Sequence, residues 1–337
     1  MEAKMNLLPD SSKLEFHYIF AEDDKSHSLD AYTRNACERE FLAIIKTLST
    51  ELGVHINVNV EPKKDGSLID VYNFLVSQNG LAVAVWATFL LEIIKYVFPR
   101  KTKAEKENLE IENEKGLVEL IKAAKELEEQ GIPLPPKIDS KLRNIYSSRK
   151  MKKQKSNFFK NLQKEQKIKS LEVSSVDTKD ESKKQVLFLI PRKDFEDYFL
   201  YSDELESEID NKAVVEVVSP VLKKGKYMWR GIYRKENLTH EFIMADSDFK
   251  KTVIDDGISF QNGTELDCEV EICKKLDDNG DVFNSKYKIN KVYDHRIGNT
   301  TTEMPSGKKR RQKAEMEKNQ PTLFDDLDIS NKPMGEK

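Results

Sequence analysis

Side chains able to do chemistry are plentiful in this 337-residue chain, but few are spaced for it. The five histidines, His17, His27, His55, His240 and His295, are scattered, with no H-x-x-x-H pair and no His/Cys pair to bind a metal. Cys37, Cys268 and Cys273 form no C-x-x-C motif. Cys268 and Cys273 are five positions apart, an odd offset, so on one strand they face opposite sides, which suits packing. His27-Ser28-Leu29-Asp30 gathers hydrolase-type residues, yet adjacency in sequence is not triad geometry, and Ser28 or Asp30 reads as a helix cap. Arg34 and Glu38 have the spacing of an ordinary surface pair on a helix. Asp277-Asp278-Asn279-Gly280-Asp281 resembles a calcium-loop fragment without the required downstream Glu, and reads as a turn. Neither the P-loop pattern nor the dinucleotide fingerprint is present. The expectation is a non-enzymatic protein with no catalytic residue, cofactor or metal assigned; a cryptic nuclease or other hydrolase built from dispersed acids is one alternative.

Binding chemistry is more visible. Between Lys141 and Lys169 stand eleven Lys or Arg against one acid, Glu165, with Tyr146, Phe158 and Phe159 interleaved. Cations alternating with aromatics are what a phosphate-tracking surface needs, which nominates Arg149, Lys150, Lys152, Lys153, Lys155 and Lys160 for nucleic acid. The same run also suits a solvated helix face or anionic lipid headgroups. Trp229 and Tyr233 lie four apart, on one face of a strand, and serve either as core or as a surface for stacking a base.

Near the C-terminus, Gln320-Pro321-Thr322-Leu323-Phe324 presents two adjacent apolar side chains in a polar stretch. A docking peptide needs such an anchor for a partner pocket, and a polar residue to fix its register. The pattern Gln-x-x-Leu-Phe resembles the clamp-binding pentapeptide of bacterial replication and repair proteins. That resemblance covers five residues and implies that Gln320 makes the register hydrogen bond while Leu323 and Phe324 fill a pocket of the ring-shaped sliding clamp. Pro321 departs from the leucine common in that family. Upstream, Lys308, Lys309, Arg310 and Arg311 would then meet DNA phosphates near the clamp. Two further stretches, His27-Ser-Leu-Asp-Ala31 with Asn35-Ala-Cys-Glu38, and Val218-Ser-Pro-Val-Leu-Lys-Lys-Gly-Lys226 with Trp229-Arg-Gly-Ile-Tyr233, resemble an uncharacterised family of bacterial and mobile-element proteins. This implies a bacterial or phage setting and brings no activity with it.

The elements that must position these residues follow from periodicity. Residues 13–20 read as a strand, Leu29 to Leu52 as a helix with Asp30 as N-cap and Gly53 as stop, and His55–Val60 as a half-buried strand; this α/β unit could be a parallel crossover or part of a sandwich. Gly80–Phe98 is the most apolar segment. Its uninterrupted run, Leu81 to Leu91, falls short of the ~18–20 residues that span a bilayer, so a buried or oligomerising helix and a membrane-associated segment both remain open. Lys101–Gln130 has the narrow apolar stripe of a packing helix. From Gln185 a series of strands follows, with Asp278-Asn279-Gly280 as the hairpin signal and a helix at Asp246–Val253.

The fold class expected is α+β: an N-terminal α/β unit with long helices, a mostly antiparallel β-rich domain, then a disordered C-terminal tail. The boundaries are 1–79 for the α/β unit, 80–172 for the apolar and charged helices, 173–184 for a linker, 185–297 for the β-rich domain and 298–337 for the tail. The charged fraction of 34% and hydrophobic fraction of 38% fit a chain that is not all core. The N-terminus has no apolar h-region, so a cytoplasmic protein is expected, with membrane association the open alternative. The functional expectation is an adaptor or sensor recruited to the sliding clamp or DNA in host–phage conflict, with the helices of 80–130 as a homo-oligomer contact. A defence effector that uses residues 80–98 at a membrane surface is the other alternative.

Overall fold

The computed structural model describes residues 13–21, 28–61, 69–78, 81–82, 84–101, 107–177, 180, 182–223 and 225–318. The chain divides into two compact units, one of residues Met1–Asp203 with Leu276–Asp281, the other of Glu204–Lys275 with Val282–Lys337. The architecture is α+β, as the sequence leads one to expect.

In the first unit β1 (Lys13–Phe20) leads to α1 (Ala31–Leu52). Asp30 caps α1 by accepting from the Thr33 N–H at 2.8 Å, and Gly53 ends it in the left-handed region at φ 70°, where a side chain would be strained. Cys37, Phe41, Ile44, Ile45, Leu48 and Leu52 form the buried stripe between. There follow β2 (His55–Glu61), β3 (Ile69–Gln78), the two-residue β4 (Leu81–Ala82), α2 (Ala84–Val97), α3 (Glu107–Glu129), α4 (Ile138–Ser147), α5 (Arg149–Gln163), β5 (Ile168–Val176) and β6 (Lys184–Pro191), then a 3-10 helix at Arg192–Tyr198. The sheet runs β2-β3-β1-β5-β6, with β4 on β3. All its pairings are antiparallel. β3 enters between β1 and β2, so the crossover considered for the N-terminal unit is not parallel.

α2 settles the apolar segment. Trp86, Phe89, Leu90, Leu91, Ile93 and Ile94 are all buried, so most of the helix is enclosed by protein, with Glu92 buried and paired to Lys95. Among the described residues no helix is long and apolar enough to cross a membrane. Residues 173–176, expected in a linker, instead complete β5, where Val173 pairs with Phe16 of β1. β6, expected to open the second domain, pairs with β5 and belongs to the first sheet.

The second unit contains β7 (Glu208–Ser219), β8 (Trp229–Tyr233), β9 (Leu238–Met244), α6 (Ser247–Asp255), β10 (Glu265–Leu276), β11 (Val282–Ile297), β12 (Thr300–Glu303) and α7 (Pro305–Lys318). Strands pair in the order β10-β7-β8-β9-β11, and β10 also pairs with β11, which closes the ring. β9 and β11 are parallel, with Tyr287 opposite Phe242. Val215, Trp229, Tyr233, Phe242, Leu266, Val270 and Ile289 fill the interior, and Phe249 and Val253 of α6 pack against them. Five strands in ring order first, second, third, fifth, fourth, with a helix between third and fourth, make a Greek-key barrel of the OB type.

One buried carboxylate ties the elements around this barrel. Asp246 accepts from the Phe249 N–H at the start of α6, from the Val292 N–H of β11 and from the Ser306 hydroxyl of α7, at 2.9, 2.9 and 2.8 Å. The region from 298 onward, expected to be disordered, is therefore structured as far as Lys318: β12 pairs with β11 and α7 packs behind it. Gln320, Leu323 and Phe324 lie outside the described residues.

Candidate nucleic-acid interface

Two of the six nominated cations of α5, Lys153 and Lys155, are buried, and Lys150 and Lys160 are held by partners within the protein. Lys155 is buried and donates to the carbonyl oxygens of Val97 and Arg100. Lys153 is buried against Asp203 at 2.8 Å, Lys150 pairs with Asp281, and Lys160 donates to the Leu200 carbonyl at 3.1 Å. Burial pushes the Lys152 ammonium below its ordinary pKa, with Arg100 and Arg149 adding to the shift. Arg149 is exposed but engaged within the protein. Lys153 and Lys155 thus correct the expectation of a phosphate-binding helix, since a buried ammonium already held by acceptors cannot reach a nucleic-acid backbone. The interleaved Phe158 and Phe159 are core, with Phe159 stacked on Tyr198 at 4.2 Å.

Trp229 and Tyr233 are a second correction. Both are buried in the barrel, and the Tyr233 hydroxyl donates to Asp210 at 2.6 Å, so neither is an exposed stacking platform; Trp229 reaches the surface only at the floor of one cavity. The loop before Trp229 and the helix beside it are more open. Lys223, Gly225 and Tyr227, from the connection between β7 and β8, face Lys250, Lys251 and Asp255 of α6 across a cavity of about 320 Å³ floored by Val221, Trp229 and Ile254. Gly225 has φ 149°, and a Cβ there would stand 2.7 Å from the Tyr227 ring, so glycine lets that ring lie close over the backbone. Tyr227 is 61% exposed. Lys223, Lys250 and Lys251 make no ion pair among the described residues. An apolar floor, one exposed aromatic and three ammonium groups against the single carboxylate of Asp255 suit an anion that carries a planar body.

The Lys308–Arg311 run sits on α7, where all four side chains are exposed. Lys309 pairs with Asp248 of α6 at 2.8 Å, which raises the lysine and lowers the aspartate from their usual values. Arg311 meets Glu303 at 3.1 Å, and the Arg310 guanidinium lies 4.3 Å over the Tyr293 ring.

Other chemistry is sparse. His240 is 2.8 Å from Glu236 and stacks on Tyr287 at 4.1 Å. His295 is buried, which pushes its imidazole below its ordinary pKa, and its Nε2 has no hydrogen-bond partner among the described residues. Among those residues no three His, Cys, Asp or Glu gather to hold a metal.

The sequence singles out the Val218–Lys226 stretch before Trp229 but not Lys250 and Lys251. These lysines lie on an ordinary amphipathic helix, and only the barrel connectivity brings that helix beside the loop. Comparison of the chain with protein-family models, curated proteins and solved structures finds no match.

Proposed function

We propose that this chain is a non-catalytic interaction protein that holds single-stranded nucleic acid on its OB-type barrel and is recruited to the bacterial sliding clamp through Gln320–Phe324. The single observation that carries the reading is the cavity between the β7–β8 loop and α6, where Lys223, Lys250 and Lys251 surround the exposed Tyr227. Barrels of this connectivity bind oligonucleotides with the loop between their first two strands, which is an analogy at the level of fold. The site itself supplies the chemistry: ammonium groups for phosphates and a ring on which any base can stack. On β8 and β9 the outward positions Arg230, Ile232 and Glu241 include no aromatic, so the loop rather than the strand face would hold the base.

The test is fluorescence anisotropy of a labelled oligothymidylate with the whole protein and with Lys223→Gln/Lys250→Gln/Lys251→Gln. The wild type is expected to bind and the variant to bind at least about tenfold more weakly. Equal binding by the two would remove the cavity from the account.

A further inference from the structure

A second cationic recess lies on the same unit, on the side of α7. Asn211 of β7, Lys291 and Tyr293 of β11, and Lys309, Arg310 and Lys313 of α7 line a cavity of about 470 Å³. No acid lines it. Glu269 holds Lys291 at 3.0 Å and accepts from the Tyr293 hydroxyl at 3.2 Å. Asp248 holds Lys309, while Lys313 and Glu317 stand 3.8 Å apart on the exposed face of α7. These acids fix the cations in place rather than fill the recess. The Arg310 guanidinium lies 4.3 Å over the Tyr293 ring, a cation–π contact that ties it to the wall of the recess.

We infer that this recess is a second phosphate-binding site, which holds the same nucleic-acid strand as the loop cavity as it continues along the barrel. The inference rests on the function proposed above. α6 joins the two sites: its Asp248 pairs with Lys309 of α7, while Lys250 and Lys251 line the loop cavity. One helix thus borders the loop cavity and contacts the helix that lines the recess, so a strand that crosses α6 meets cations on both sides of it.

The experiment compares two oligothymidylates, one of about 4 nucleotides and one of about 12, within the span a single barrel of this type covers. Each is titrated into the wild type, Lys291→Gln/Arg310→Gln/Lys313→Gln, and the single variant Lys313→Glu, whose exposed site leaves folding undisturbed. The expected result is a loss of about tenfold or more for the longer strand with the triple variant, a smaller loss with Lys313→Glu, and less than about twofold change for the shorter strand. Unchanged affinity for the longer strand, or an equal loss for both lengths, overturns the second site while leaving the first intact. If the wild type binds neither strand, it is the proposed function that fails.

Discussion

The ammonium of Lys155, on α5, donates to the carbonyl oxygen of Val97 at 2.9 Å and so closes the C-terminal end of α2. The last carbonyls of a helix have no partner within it, and here they lie in the core, away from water. A second bond, to the Arg100 carbonyl at 2.6 Å, holds the chain that leaves the helix. What looks in the sequence like one cation of a basic surface is a buried clasp between two helices.

Lys155→Met keeps the length and apolar stem of the side chain but leaves both carbonyls without their donor, so urea denaturation should show a loss of about 2–4 kcal/mol. The pH dependence follows from the direction of the shift: burial first, then Arg100 and Lys152, holds the Lys155 ammonium well below its ordinary value. In the unfolded chain the lysine keeps its proton to about pH 10.4, so between the folded value and that limit the unfolded state binds more protons and stability rises with pH. The wild type's advantage over Lys155→Met should therefore widen as pH rises from neutral towards 10. An advantage that narrows would mean that the lysine is not buried in this way.

Local signals were legible where one segment decides its own structure. Asp30 and Gly53 bound α1, the alternation of residues 55–60 marks β2, and Asp278-Asn279-Gly280 makes the turn between β10 and β11. The misreadings share one cause, since each concerns a residue whose partner lies far along the chain. Ile168–Val176, expected partly within the basic helices and from residue 173 in a linker, becomes a strand by pairing with β1, some 150 residues earlier. The lysines of α5 show that periodicity reports which face a residue takes but not what awaits it there; the backbone carbonyls that hold Lys155 carry no sequence signal. α7 has almost no apolar stripe, and is held instead by Asp246, Tyr293 and the closeness that Gly307 allows.

Gly307 is the sharpest of these close approaches. A Cβ there would stand 2.3 Å from the Tyr293 carbonyl oxygen, which belongs to the backbone of β11 and cannot rotate away. Gly307→Ala should lift α7 from the barrel at a cost of about 1–3 kcal/mol. It should also weaken binding of the longer oligothymidylate, although no cation is removed. Thermal melting and anisotropy on the same preparation check both; unchanged strand affinity would separate the position of α7 from binding.

The C-terminal peptide makes its own prediction. Leu323→Ala/Phe324→Ala removes both apolar anchors and leaves Gln320, so calorimetry against the sliding clamp should register binding by the wild type and at least about tenfold weaker binding by the variant. Oligonucleotide affinity in the absence of clamp should be equal in the two. No heat from the unmodified protein would dismiss the clamp as a partner.

The most direct measurement of the central claim is the salt dependence of oligothymidylate binding. For single strands, log K falls against log salt with a slope of about −0.7 for each phosphate neutralised. If Lys223, Lys250 and Lys251 each meet a phosphate, replacing all three with glutamine should make the wild-type slope shallower by about 2. A wild-type slope near zero, or one that the triple substitution leaves unchanged, would contradict a barrel that holds nucleic acid through these lysines.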